Sequence, residues 1–99
     1  MLIRIVKMSF RPEEVDNFLQ IFSEIKHKII ARKGCTKLDL YQDKDNTNIF
    51  FTYSFWNSKA DLEDYRNSEL FISVWAKTKV LFNDKPEAWS VKEVDSVEN

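Results

Sequence analysis

Asn48-Ile49-Phe50-Phe51-Thr52-Tyr53-Ser54-Phe55-Trp56-Asn57-Ser58-Lys59-Ala60-Asp61-Leu62-Glu63-Asp64-Tyr65 is the stretch from which the fold is read. Residues 48–56 are mostly aromatic or β-branched, which favours a strand. Ile49, Phe51, Tyr53 and Phe55 share one face of it, and Phe50, Thr52, Ser54 and Trp56 share the other, so both faces carry bulk. Ser58-Lys59-Ala60-Asp61 then has capping-box order, with Asp in place of the usual Glu, and opens a short helix through Leu62 and Tyr65.

Upstream, the polar run Lys44-Asp45-Asn46-Thr47 suits a hairpin loop that joins this strand to an antiparallel partner over 35–43. Before that pair, Leu2 to Phe10 reads as a first strand with apolar residues on both parities. Pro12 stands where a helix tolerates proline, Glu13 and Glu14 sit at the positive end of the helix dipole, and Phe10 can staple onto Val15. The helix stripe is Val15, Phe18, Leu19, Phe22, Ile25, Ile29 and Ile30, and Gly34, the only glycine, is expected to cap its C-terminus.

Downstream, Ser68 caps a further helix whose stripe runs Leu70, Phe71, Val74, Trp75, Thr78, Leu81 and Phe82 until Asn83-Asp84-Lys85-Pro86 breaks it. A last strand is expected over 87–94, with Trp89 and Val91 on one face. The order is βαββαβ with the second α split, which predicts a ferredoxin-like α+β fold with a four-stranded antiparallel sheet. One domain over 1–95 with a short tail at 96–99 accounts for the 99 residues.

With 15 basic and 16 acidic residues the chain has no field for steering nucleic acid or an anionic membrane. Cys35 is the only cysteine, so no intrachain disulfide forms, and the charged N-terminus does not resemble a signal peptide; a soluble protein of the reducing cytoplasm is expected. One His and one Cys cannot build a His/Cys metal cluster, one Gly cannot build a phosphate-binding loop, and no nucleophile elbow is present. Aromatics on the third strand also suit an RNA-binding domain, but the basic and glycine positions of that motif are missing.

Two helix-equivalents on one side of four strands leave the other sheet face bare. With Phe50 and Trp56 directed to that face, a single copy exposes an apolar patch, and a second copy is its simplest cover, so a homodimer is expected.

The run from Phe55 to Ser68, with Phe71 and Trp75 on the helix that follows, resembles the strand, Trp-x-Ser, helix pattern of antibiotic biosynthesis monooxygenase domains. The βαββαβ order and Gly34 before the second strand extend the resemblance across about the whole chain. It implies a dimeric α/β barrel with a pocket between sheet and helices. It also implies cofactor-free oxidation of quinols or phenols by O₂, a related isomerase or dehydratase activity, or a non-catalytic barrel that binds a small hydrophobic ligand. The haem-degrading branch of the superfamily uses an Asn, a Trp and a His at places that fall here on Val6, Tyr65 and Trp75, so the resemblance implies no haem and no other cofactor.

In such a pocket Tyr65 and Trp75 are the candidate catalytic residues, since a phenol can donate or accept a proton and an indole N–H can donate. Arg4, Tyr53, Trp56 and Phe71 are candidates for holding a small aromatic substrate. Arg4 could hold an anion or pair with Asp39. For each aromatic the alternative is core packing. His27 has the right intrinsic pKa for a base, but helical spacing puts it with Gln20, Glu24 and Ala31, away from the apolar stripe.

Overall fold

The structure, a computed structural model, describes residues 1–99. Its elements are β1 (Leu2–Ser9), a 3-10 turn (Pro12–Glu14), α1 (Val15–Ile30), β2 (Cys35–Gln42), β3 (Ile49–Trp56), α2 (Lys59–Arg66), α3 (Glu69–Lys79) and β4 (Glu87–Val91). The strands form one antiparallel sheet in the order β2-β3-β1-β4, the ferredoxin-like arrangement. No helix is long and apolar enough to cross a membrane.

Local chemistry sets the helix starts. Ser58 Oγ accepts from the Asp61 N–H at 3.1 Å, and Ser68 Oγ accepts from the Phe71 N–H at 3.2 Å while donating to the Tyr65 carbonyl at 2.6 Å. In the hairpin loop the Asp43 carboxylate accepts from the backbone N–H groups of Asn46 and then Asp45, which hold it below the usual carboxylate range. β4 stops at Val91 rather than residue 94 because its partner β1 runs out: Val91 pairs with Ile3, one residue from the start of that strand.

The helix ends depart from expectation. α1 closes at Ile30 with Ala31 as its C-cap, and Gly34 lies three residues further on, in the turn into β2. That turn needs a φ of 82° at Gly34, and a Cβ there would collide with the Asp61 side chain on α2. α3 ends at Lys79; Leu81 and Phe82 leave the helix to meet the end of β1, where Phe10 bridges to Phe82 and the Arg11 N–H donates to the Leu81 carbonyl. Leu19 and Ile30, at the margins of the α1 stripe, are exposed.

Two apolar clusters join helices to sheet. Met8, Phe10, Phe18 and Phe50 form one, with Phe10 stacked on Phe18 at 4.2 Å; Ile29, Trp56, Leu62 and Tyr65 form the other. The second contains Phe50's counterpart at the far end of β3, and both Phe50 and Trp56 lie under the helices at 3% and 0% exposure. The expectation that they occupy the bare face is thereby corrected. Register explains why: Phe50 pairs with Met8, and Trp56 with Leu2, on the parity that packs against α1 and α2. The uncovered face carries the other parity, Ile3, Ile5, Phe51, Tyr53, Phe55, Trp89 and Val91.

Candidate functional site

Between the two clusters, the sheet and the helices enclose a cavity of about 290 Å³ with a mostly apolar lining. Its floor is the helix-facing parity of the sheet, including Arg4 and Val6 from β1 and Thr52 and Ser54 from β3. Phe22 and Ile29 of α1, Tyr65 of α2, and Phe71 and Trp75 of α3 form the walls. Arg66 and Glu87 also border it.

Strand pairing fixes the polar part of the floor. Leu38, Ser54, Arg4 and Ser90 lie in one row across β2, β3, β1 and β4. Arg4 is half-buried and donates from Nη1 to Ser90 Oγ at 3.0 Å. Burial lowers its pKa from the ordinary guanidinium value, the Arg66 charge lowers it further, and Glu63 opposes both. Arg4 takes part in no ion pair, whereas Arg66 meets Glu63 at 3.3 Å. The expected pairing of Arg4 with Asp39 is absent because Asp39 sits on the opposite sheet face, where it meets Lys37 at 3.4 Å and accepts from the Tyr41 hydroxyl at 3.2 Å.

Tyr65 is buried against Trp56, its ring stacked at 5.1 Å, with Phe71 edge-on at 5.3 Å. Burial, then the neighbouring Cys35, push its pKa up to about 12, against a smaller opposing effect of Arg32. It is therefore a neutral phenol at ordinary pH, able to donate or accept a hydrogen bond but not to act as an anionic base. Trp75 lies nearly parallel to Phe71, at 5.9 Å and 9°, and meets Phe82 edge-on at 5.6 Å; its indole N–H has no acceptor within the protein.

Of the residues singled out in the sequence, the fold brings Arg4, Tyr65, Phe71 and Trp75 to the cavity. Trp56 stands behind the wall, fully buried, with Nε1 donating to Ser54 Oγ at 2.9 Å. Tyr53 is on the other side of the sheet, edge-on to Tyr41 at 5.2 Å, so its expected place in the wall is corrected by the two-residue alternation of β3. Ser54 and Thr52 escaped sequence reading. The available signal was their smallness: two short hydroxyl side chains between the bulky Phe50 and Trp56 leave room above the sheet.

A haem would need an axial ligand, and no histidine or cysteine lines the cavity; His27 is exposed on α1, and Val6, Tyr65 and Trp75 all border the space. The residues present do not fit a histidine-ligated haem. No group of His, Cys, Asp or Glu side chains is arranged to hold a metal ion.

A family model for antibiotic biosynthesis monooxygenase matches residues 1–76. The chain belongs to that family. Among solved structures, an antibiotic biosynthesis monooxygenase superposes with a TM-score of 0.89 at 21% identity, covering 96% of this chain and 100% of the other. A conserved protein from Methanosarcina mazei gives 0.87 at 20% identity over 94% and 93% of the two chains. One from Mycobacterium tuberculosis gives 0.87 at 18% identity over 98% of each. At these identities the likeness shows a shared fold. A search of curated proteins finds no match.

Proposed function

We propose that this domain is a cofactor-independent monooxygenase that oxidises a small aromatic substrate of the phenol or quinol type in the cavity between sheet and helices. The observation that carries the reading is an apolar, aromatic-walled cavity with a single unpaired cation on its floor, in a chain of this family. An electron-rich phenolate needs no metal or flavin to reduce O₂. It passes one electron to O₂, and the resulting superoxide joins the phenoxyl ring carbon, forming a C–O bond. The O–O bond of the hydroperoxide then breaks as the proton leaves that carbon, so phenol and O₂ become quinone and water. The ring supplies all four electrons. The protein's part is to bind the ring, exclude water and hold the oxyanion, with Trp75 and neutral Tyr65 as hydrogen-bonding groups at the wall.

Oxygen uptake with a panel of phenols and quinols, with chelator present, tests the proposal. Uptake that depends on protein and falls at least about tenfold in Trp75→Phe is the expected result. A flat response across the panel, unchanged in Tyr65→Phe and Trp75→Phe, overturns it. One observation favours a second reading, a non-catalytic barrel binding a small hydrophobic ligand: the only carboxylate at the cavity is the exposed Glu87 at its border, and buried Tyr65 stays protonated, so the aromatic interior holds no general base. Ligand retention without turnover would select that reading.

The same proposal includes a second copy of the chain. The uncovered sheet face presents Ile5, Phe51, Phe55 and Trp89 side by side across three strands, with Lys37 and Asp39 at its β2 edge. A two-fold pairing of this surface with itself would bury both patches and leave the cavities on the outside of the paired sheets.

A further inference from the structure

The cavity floor holds two residues with hydrogen-bond donors left unused. Trp56 Nε1 can only donate, so at 2.9 Å it fixes Ser54 Oγ as its acceptor and leaves the Ser54 hydroxyl hydrogen to point elsewhere. No protein group receives that hydrogen, although Ser54 is buried at 9% exposure. Arg4, directly opposite Ser54 in the β1–β3 register, spends one N–H on Ser90 and has no carboxylate partner for the rest. Side chains opposed in this way stand about 5 Å apart at Cβ, on the same face of the sheet. A half-buried guanidinium with unused N–H groups and a buried hydroxyl with an unused hydrogen, facing the same apolar space, match a ligand oxygen that carries negative charge.

We propose that Arg4 and Ser54 form an oxyanion site on the cavity floor, that the ligand is an aromatic phenolate with its charged oxygen set on the sheet, and that Trp56 positions Ser54 as donor. The assignment deepens the reading of the cavity as a substrate site. Ser90 already takes one Nη1 N–H of Arg4, and the single O–H of Ser54 stands opposite Arg4 on the same face, so one charged oxygen can accept from both residues together. Glu87 borders the cavity but makes no ion pair with Arg4, and Arg66 is held by Glu63, so Arg4 is the charge available to the ligand. Holding the anion lowers the pKa of the bound phenol, which would supply the phenolate without a protein base.

Three probes of one shape test this on the full chain by equilibrium dialysis: 4-nitrophenol, 4-nitrobenzoate and neutral 4-nitroanisole. None reduces O₂, so binding is read without turnover. The wild type is expected to hold 4-nitrophenolate about tenfold more tightly than 4-nitroanisole and to favour it over 4-nitrobenzoate, with the bound phenol ionising at lower pH than the free one by its absorbance. Arg4→Met should abolish the preference, and Ser54→Ala should reduce it. Equal binding of phenol and anisole by the wild type, a preference for the benzoate, a preference that survives Arg4→Met, or no binding of any probe would each overturn the assignment. The comparison of probes on the wild type stands even where a variant fails to fold. Flat oxygen uptake together with anion-selective binding would remove the monooxygenase reading and leave the oxyanion site in place.

Discussion

Tyr65 shows how burial limits what a side chain can do. Its pKa is raised from 10.0 to about 12 chiefly by desolvation, so the folded state resists ionising it while the unfolded chain does not. The linked stabilisation is complete below the unfolded pKa of 10.0 and disappears as pH rises through about 12. Urea-unfolding stability of the wild type should therefore fall more steeply between those pH values than that of Tyr65→Phe, in which Cys35 and Tyr41 still contribute; parallel curves for the two proteins would contradict the burial. The same shift means that a change in oxygen uptake between pH 6 and 9 does not come from ionisation of Tyr65. The type of this residue was legible in the sequence as a candidate for chemistry. Its protonation state was not, because that depends on Trp56, Phe71 and Cys35 closing around it from three separate elements.

At the scale of single elements, the helix starts were readable and the helix ends were not. A cap is local: Ser58 and Ser68 each find their N–H three residues on. Ser68→Ala should cost about 1 kcal/mol in urea denaturation, with the loss centred on α3, the helix that carries Phe71 and Trp75. A stability equal to wild type would show the cap to be idle. Gly34 was visible as a position needing a glycine, but a glycine in a sequence states neither how far it lies from the helix nor what leans against it. Here the requirement is a φ of 82° and the approach of Asp61 from α2, which is a tertiary fact. Likewise the Leu81-Phe82 pair continues the α3 spacing in sequence, and only the bridge to Phe10 shows that it has left the helix.

For the molecule as a whole, element order and sheet type followed from the sequence because each strand and helix announces its own period. The choice of face did not follow. When both parities of β3 are bulky, alternation alone cannot say which one meets the helices; the register with Met8 and Leu2 decides it. With the uncovered parity now identified, the proposed second copy has a definite test. Phe51→Glu lies on that face and away from the cavity, and should convert a species of twice the chain mass into one of single mass by light scattering, with the circular dichroism of the fold retained. A wild type that is monomeric at all concentrations would remove the proposed dimer.

β1 and β3 supply the floor of the cavity with one parity and the uncovered surface with the other. Losing or gaining one residue within either strand would turn Ser54 or Arg4 outward and bring Phe51, Phe55 or Ile5 into the cavity in the same event. The proposed ligand site and the proposed self-association would thus diverge in descendants of this chain only by replacement of one residue with another, while changes of length in the loop around Lys44-Asp45-Asn46-Thr47 or beyond Val91 would leave both surfaces in register.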